Sequence, residues 1–276
     1  MILFSKMTGA GNDFVAVDNR ELVIQDPARF AKAVCDRRYG IGGDGVLLLE
    51  RSANADFRMK YYNADGTYGG MCGNGGRCIA QFAKLIGVVA GNEFAFEALG
   101  HVYSGKIDDD IVSLRMKDPS SLWLGDKIDV DDLSINVNFV NTGSPHCVIL
   151  EQENPGLLKP DFSTSDIFHL GRKIRYHQRF APDGANVNFV QVIDIRSLKI
   201  RTYERGVEDE TLACGTGSIA AALVAAMLKK CTSPVKVHTR SNEILTISFF
   251  ERDGAVSEVT LKGGAQMVFQ GSIDFK

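Results

Sequence analysis

Two short segments carry residue types that could move a proton. Cys72-Gly73-Asn74-Gly75 and Cys214-Gly215-Thr216-Gly217 repeat one pattern, about half a chain apart. Each precedes an apolar, helix-prone run, Arg77 to Ile86 in the first case and Ile219 to Lys230 in the second. Gly87 is a natural stop for the first run, and Lys229, Lys230 and Pro234 suit the end of the second. A cysteine is therefore expected at the start of a helix, twice. The first turn of a helix leaves backbone N–H groups unpaired and carries about half a positive charge. Such a setting lowers a thiol pKa from about 8.5 toward roughly 3.5–7.5. The same N–H groups can hold a carboxylate, and glycines let a ligand approach the backbone.

Two such elements acting on one molecule would suit proton exchange at the carbon beside a carboxylate. One cysteine, as thiolate, takes the proton. The other, as thiol, returns one on the opposite face. Charge building on the carboxylate is stabilised most by fixed dipoles. Two thiolates together repel, so the pair is expected to titrate as a unit sharing one proton. That is racemisation or epimerisation chemistry, with no cofactor and no metal required. A single Cys-Gly step could equally be a turn with a buried thiol; its repetition favours chemistry.

The elements that must position these segments read mostly as strands. Residues 14–17, 46–49, 57–62 and 112–116 in the first half are short and rich in β-branched or aromatic residues. So are 139–140, 147–150, 188–192, 200–203 and 245–250 in the second. Phe14-Val15-x-Val17 and Phe189-Val190-x-Val192 echo one another faintly. Both cysteine-led helices are apolar nearly all round, which marks them as buried. Many strands with one buried helix per half predict an α+β chain of two domains, each a sheet wrapped around a helix. Polar residues and Pro119 between Lys117 and Asp132 suggest a boundary there. The expected domains are 1–117 plus 266–276, and 118–265.

Gly40-Ile41-Gly42-Gly43-Asp44-Gly45 fits the G-x-G-x-x-G of a dinucleotide loop. That role needs a strand before and a helix after. Here a helix, Ala31 to Arg38, precedes and a strand follows, so a tight turn is expected instead. A net charge of -3 argues against a general nucleic-acid or anionic-membrane binder. The alanine-rich run from Ile219 to Leu228 falls short of the ~20 residues that span a bilayer. No secretory leader pattern opens the chain, so a cytoplasmic place and reduced thiols are expected. The six cysteines include no C-x-x-C pair, and Cys147 after His146 makes only two candidate ligands.

The ordered motifs resemble diaminopimelate epimerases along nearly the whole chain. They are Thr8-Gly9-Ala10-Gly11-Asn12-Asp13-Phe14, Arg38-Tyr39-Gly40 through Gly45, and Asn63-Ala64-Asp65-Gly66 with Met71 through Gly75. Gly143-Ser144-Pro145-His146, Gly184 through Phe189, and Tyr203-Glu204-Arg205-Gly206 running into Glu210 through Gly217 complete the set. The resemblance implies interconversion of the LL and meso forms of 2,6-diaminoheptanedioate, a lysine and cell-wall precursor, without metal or cofactor. It implies two pseudo-symmetric domains, each a β-barrel-like sheet around a central helix, the site between them, and a cytoplasmic homodimer. The last strand, near Val268 to Phe275, would rejoin the first domain.

By motif position, Cys72 and Cys214 become the acid/base residues. Gly73, Asn74, Gly215 and Thr216 would grip the reacting carboxylate. Glu204 would meet a substrate ammonium, and Arg205 a carboxylate, where a planar two-pronged donor fits. Asn12, Asn63 and Asn186 would hydrogen-bond the substrate; without the resemblance, Asn12 and Asn186 read as Asx-type turn residues. His146 would tune the cysteine pair. Ser144 stands where many relatives have Asn at the distal end of the substrate, and Gly45 where some have Gln. The segment Val207-Glu208-Asp209-Glu210 is one residue longer than the commonest form. The alternatives are a related two-cysteine racemase for a different amino acid, with a pocket altered at Ser144, and a non-catalytic amino-acid-binding protein on the same fold.

Overall fold

In the computed structural model, residues 1–252 and 254–275 are described, and they form two compact units. Among the described residues the first comprises 1–115 and 262–275, the second 116–252 and 254–261. The first runs β1 (Ile2–Gly9), β2 (Asn12–Asp18), α1 (Pro27–Cys35), β3 (Gly45–Glu50), β4 (Phe57–Asn63), α2 (Gly73–Leu85), β5 (Glu93–Ala98), β6 (His101–Asp108) and β7 (Ile111–Arg115). The second holds β8 (Ser120–Val130), β9 (Leu133–Asn141), β10 (Pro145–Leu150), α3 (Ile167–Arg175), β11 (Asn186–Asp194), β12 (Ser197–Glu204) and β13 (Asp209–Thr211). Then come α4 (Gly215–Met227), β14 (Val235–His238), β15 (Ile244–Arg252) and β16 (Ala255–Gly264). The chain returns to the first unit with β17 (Gln266–Ile273), which pairs antiparallel with β1.

The expected α+β plan is present in both units. β2 runs parallel to β3, β3 antiparallel to β4, and β4 parallel to β5. In the second unit β10 runs parallel to β11, β11 antiparallel to β12, and β12 parallel to β14. A short helix (α1 or α3) bridges the first parallel pair and a cysteine-led helix (α2 or α4) the second. β3 therefore corresponds to β11, and β2 to β10. The echo of Phe14 in Phe189 is one of composition, not of position.

The central strands are buried on both faces, so they read as unbroken apolar runs. Along β3, Val46 and Leu48 pack with Phe30 and Val34 of α1, while Leu47 lies against Gly75 of α2. In the second unit Val187 and Phe189 join Ile167 and Ile174 of α3 in one core. The alternate residue, Asn188, faces the start of α4. A period of two thus sorts β11 into a core face and a polar face. Residues 117–132, read above as a boundary, are largely strand β8 of the second unit. Gly40–Asp44 is a non-repetitive turn between α1 and β3, with Gly42 at φ 80° supplying the left-handed step. Among the described residues, no helix is long and apolar enough to cross a membrane.

Candidate active site

Both cysteines cap their helices. Cys72 precedes α2 with extended backbone (φ -118°, ψ 126°), and its Sγ accepts the Gly75 N–H at 3.4 Å. Cys214 precedes α4 in nearly the same conformation (φ -122°, ψ 113°), and its Sγ accepts the Gly217 N–H at 3.3 Å. Sulfur here occupies the place that Ser, Thr or Asp fills in an ordinary N-cap. Each sulfur thus sits at the positive end of a helix, a setting in which an anion would be held by the dipole and the N–H groups. Gly73, Asn74, Gly215 and Thr216 form the first turns, as the sequence suggests.

Sheet register gathers the other predicted residues at the same end of each unit. In the first, Asn12 opens β2 and Asn63 ends β4, opposite Gly45 at the start of β3. Asn12 accepts from Asn74 Nδ2 at 2.7 Å and donates to Asp44 at 2.8 Å. Asp44 and Asp13 share Arg37, and Asp13 also meets Lys6 at 2.8 Å. Burial opposes ionisation of Asp13, but hydrogen bonds and charge from Arg37 and Lys6 win and hold it at about 2. Asn63 donates to Thr67 within its own turn. Gly45 has a local reason: an added Cβ would lie 2.4 Å from the Tyr62 carbonyl oxygen.

In the second unit, His146 on β10 stands in register with Asn186 on β11. Asn186 lies beside the end of β12, where Glu204 is followed by Arg205. Asn186 Oδ1 accepts the Arg205 backbone N–H at 2.8 Å. Asn12 and Asn186 thus spend their amides on tertiary partners, not on Asx turns. Ser144 Oγ lies 2.9 Å from His146 Nε2 and 3.4 Å from Thr216 Oγ1, which lies 3.5 Å from Cys214 Sγ. His146 is fully buried; burial first, then the charge of Arg205, pushes its pKa down to about 3. Its imidazole is neutral at any ordinary pH. The long segment at Val207–Glu210 is anchored by Glu208 on Arg175 and Glu210 on Arg201 at 2.6 Å.

Two residues escaped the sequence reading. Arg77 is wholly buried and donates to Asn74 Oδ1 at 3.0 Å and the Gly73 carbonyl at 3.3 Å, bracing the first turn of α2. An arginine inside an otherwise apolar helix was the available signal. Asn188 donates to His146 Nδ1 at 3.1 Å; in sequence only its place within the motif from Gly184 to Phe189 marks it.

A profile of the family described as diaminopimelate epimerase matches residues 4–121 and 138–268. The chain belongs to the diaminopimelate epimerase family. It is 44% identical to the diaminopimelate epimerase of Chlorobaculum tepidum over 270 residues, covering 97% of this chain and 99% of that one. Against the enzyme of the same name from Flavobacterium psychrophilum it is 38% identical, covering 97% and 98%. By membership it is an isomerase. Solved structures share the fold at much lower identity. A hydroxyproline epimerase from Agrobacterium vitis superposes with a TM-score of 0.72 at 15% identity, covering 98% of this chain and 91% of that one. A Bacillus anthracis protein of the PhzF family gives 0.72 at 14%, covering 99% of each.

Proposed function

We propose that this chain interconverts the LL and meso forms of 2,6-diaminoheptanedioate, with Cys72 and Cys214 as the acid and base at one α-carbon. The observation that carries the reading is the doubled cap, a sulfur held by a helix N–H three residues on, in each unit. The thiolate of one cysteine takes the α-proton, and the electron pair of the broken C–H bond moves into the adjacent carboxylate. The thiol of the other cysteine returns a proton to the opposite face, which inverts the centre. The first-turn N–H groups of the two helices hold the carboxylate as its charge grows. Glu204 takes a substrate ammonium, Arg205 a carboxylate, and Asn12, Asn63 and Asn186 the remaining polar groups. The family resemblance adds a cytoplasmic homodimer to this reading.

Incubation of reduced protein with the LL substrate in deuterated water tests this directly. Deuterium should enter one α-carbon as the meso form appears. No incorporation by fully reduced protein would overturn the reading. Turnover of another amino acid with none of the diamino diacid would instead favour a racemase whose pocket differs at Ser144.

A further inference from the structure

We infer that Ser144 is a positioning residue: it passes the hydrogen-bond polarity of a fixed His146 tautomer through Thr216 to Cys214, so that a hydroxyl proton points at the sulfur. The inference rests on the proposed role of Cys214 and lies wholly within the second unit.

The direction follows from atoms that can act in only one way. A backbone carbonyl only accepts. Asn188 Nδ2 lies 3.0 Å from the Cys147 carbonyl oxygen, which fixes the amide nitrogen on that side. Asn188 Oδ1 then accepts from Thr202 Oγ1 at 3.0 Å. The same Asn188 nitrogen reaches His146 Nδ1 at 3.1 Å, so Nδ1 must be the acceptor. A neutral imidazole has one proton, and it therefore sits on Nε2. That N–H donates to Ser144 Oγ at 2.9 Å.

Ser144 receives a second donor. Asn186 Nδ2 is oriented by the Pro145 carbonyl at 3.1 Å and reaches Ser144 Oγ at 3.5 Å. With both lone pairs engaged, the serine hydroxyl has one proton left to give, and Thr216 Oγ1 is 3.4 Å away. Thr216, accepting there, directs its own proton to Cys214 Sγ at 3.5 Å. The sulfur already accepts the Gly217 N–H, so the thiolate gains a second donor. Of the charged groups on or beside β12 and β13, Arg205 bears on His146 through its charge, and Glu210 is paired with Arg201.

The test reads the thiol itself. The rate of Cys214 alkylation by iodoacetamide, resolved by mass spectrometry of its peptide, is followed against pH in the intact protein. Thr216→Val should raise the midpoint by roughly one pH unit, the worth of a hydrogen bond to a charged group. Ser144→Ala, which only frees the Thr216 hydroxyl to turn away, should raise it by less, and Ser144→Thr, which keeps the hydroxyl, should restore it. Adding Ser144→Ala to Thr216→Val should move it no further, because both cut one chain. An unmoved midpoint in Ser144→Ala, no rescue by threonine, or additive shifts would each overturn the relay. The measurement needs no substrate. Failure of deuterium exchange in the unaltered protein would remove the epimerase reading and leave this result standing.

Discussion

The two cysteine-led helices share a cap and differ in what braces it. At α2, an amide and charge network runs from buried Arg77 through Asn74 and Asn12 to Asp44 and Arg37. At α4, a neutral imidazole and two hydroxyls lead to the sulfur. Two residues after the cysteine, Asn74 turns its amide to Asn12, whereas Thr216 lies beside the sulfur itself. One backbone solution to holding a thiolate thus tolerates two kinds of support.

Replacing either cysteine should have the largest effect. Cys72→Ser and Cys214→Ser should each cut deuterium exchange by at least ~10²–10⁴-fold, the usual worth of a positioned acid or base. Near-normal exchange in both would mean that neither sulfur is the acid or the base.

The glycines that donate to sulfur come next. A Cβ on Gly217 would lie 2.4 Å from Asn188 Oδ1, whereas one on Gly75 would meet Leu47 Cδ2 at 3.1 Å. Asn188 is held from three sides and cannot yield cheaply. Gly217→Ala should therefore cost about 1–3 kcal/mol in denaturant unfolding. Gly75→Ala should be close to neutral, because relief of glycine in a helix returns up to ~1 kcal/mol. Equal losses would show that the two caps are supported alike.

Arg77→Met keeps the bulk of the side chain but orphans the buried Asn74 Oδ1, while the Gly73 carbonyl keeps its bond from the backbone N–H of residue 77. The orphan should cost about 1–3 kcal/mol, read as a lower denaturation midpoint. An unchanged midpoint would mean that desolvating the guanidinium already offsets what its bonds contribute.

Acidification gives the gentlest contrast. His146 titrates near 3 in the fold against 6.5 in the open chain, so the unfolded chain takes the proton first. The stability it lends is full above 6.5 and is lost as the pH falls toward 3. Asp13, at about 2 against 3.8, lends stability above 3.8 that is lost as the pH falls through 2. The α4 support should therefore loosen at higher pH than the α2 support. Hydrogen exchange corrected for its intrinsic rate, compared between β10–β11 and β1–β2, would show it. Earlier opening of β1–β2 would contradict the assignment. Nitrogen NMR should show His146 as the neutral Nε2–H form throughout pH 5–8.

Much of the site was legible because its signals are local. A cysteine, two glycines and an apolar run announce a capped helix within a dozen residues, twice. β3 and β11 announced themselves by apolar, β-branched runs. What escaped was locally ambiguous. β8 contains Gly125 and alternating charge, and it reads as a linker until β9 pairs with it. α3 is nine residues broken by Gly171, needed because a Cβ would come within 2.5 Å of Tyr203. β6 carries Gly105 in mid-strand, where a side chain would strike the Ser113 carbonyl at 2.1 Å.

The sequence by itself determined the two thiols at helix starts and the polar residues that accompany them, since capping and helix periodicity depend on near neighbours along the chain. Only the tertiary structure decided which amide meets which hydroxyl. Asn188 reaches His146 across 42 residues and Ser144 reaches Thr216 across 72. Those meetings depend on strand register, and register is set by how whole strands bury their apolar faces rather than by any residue's immediate neighbours.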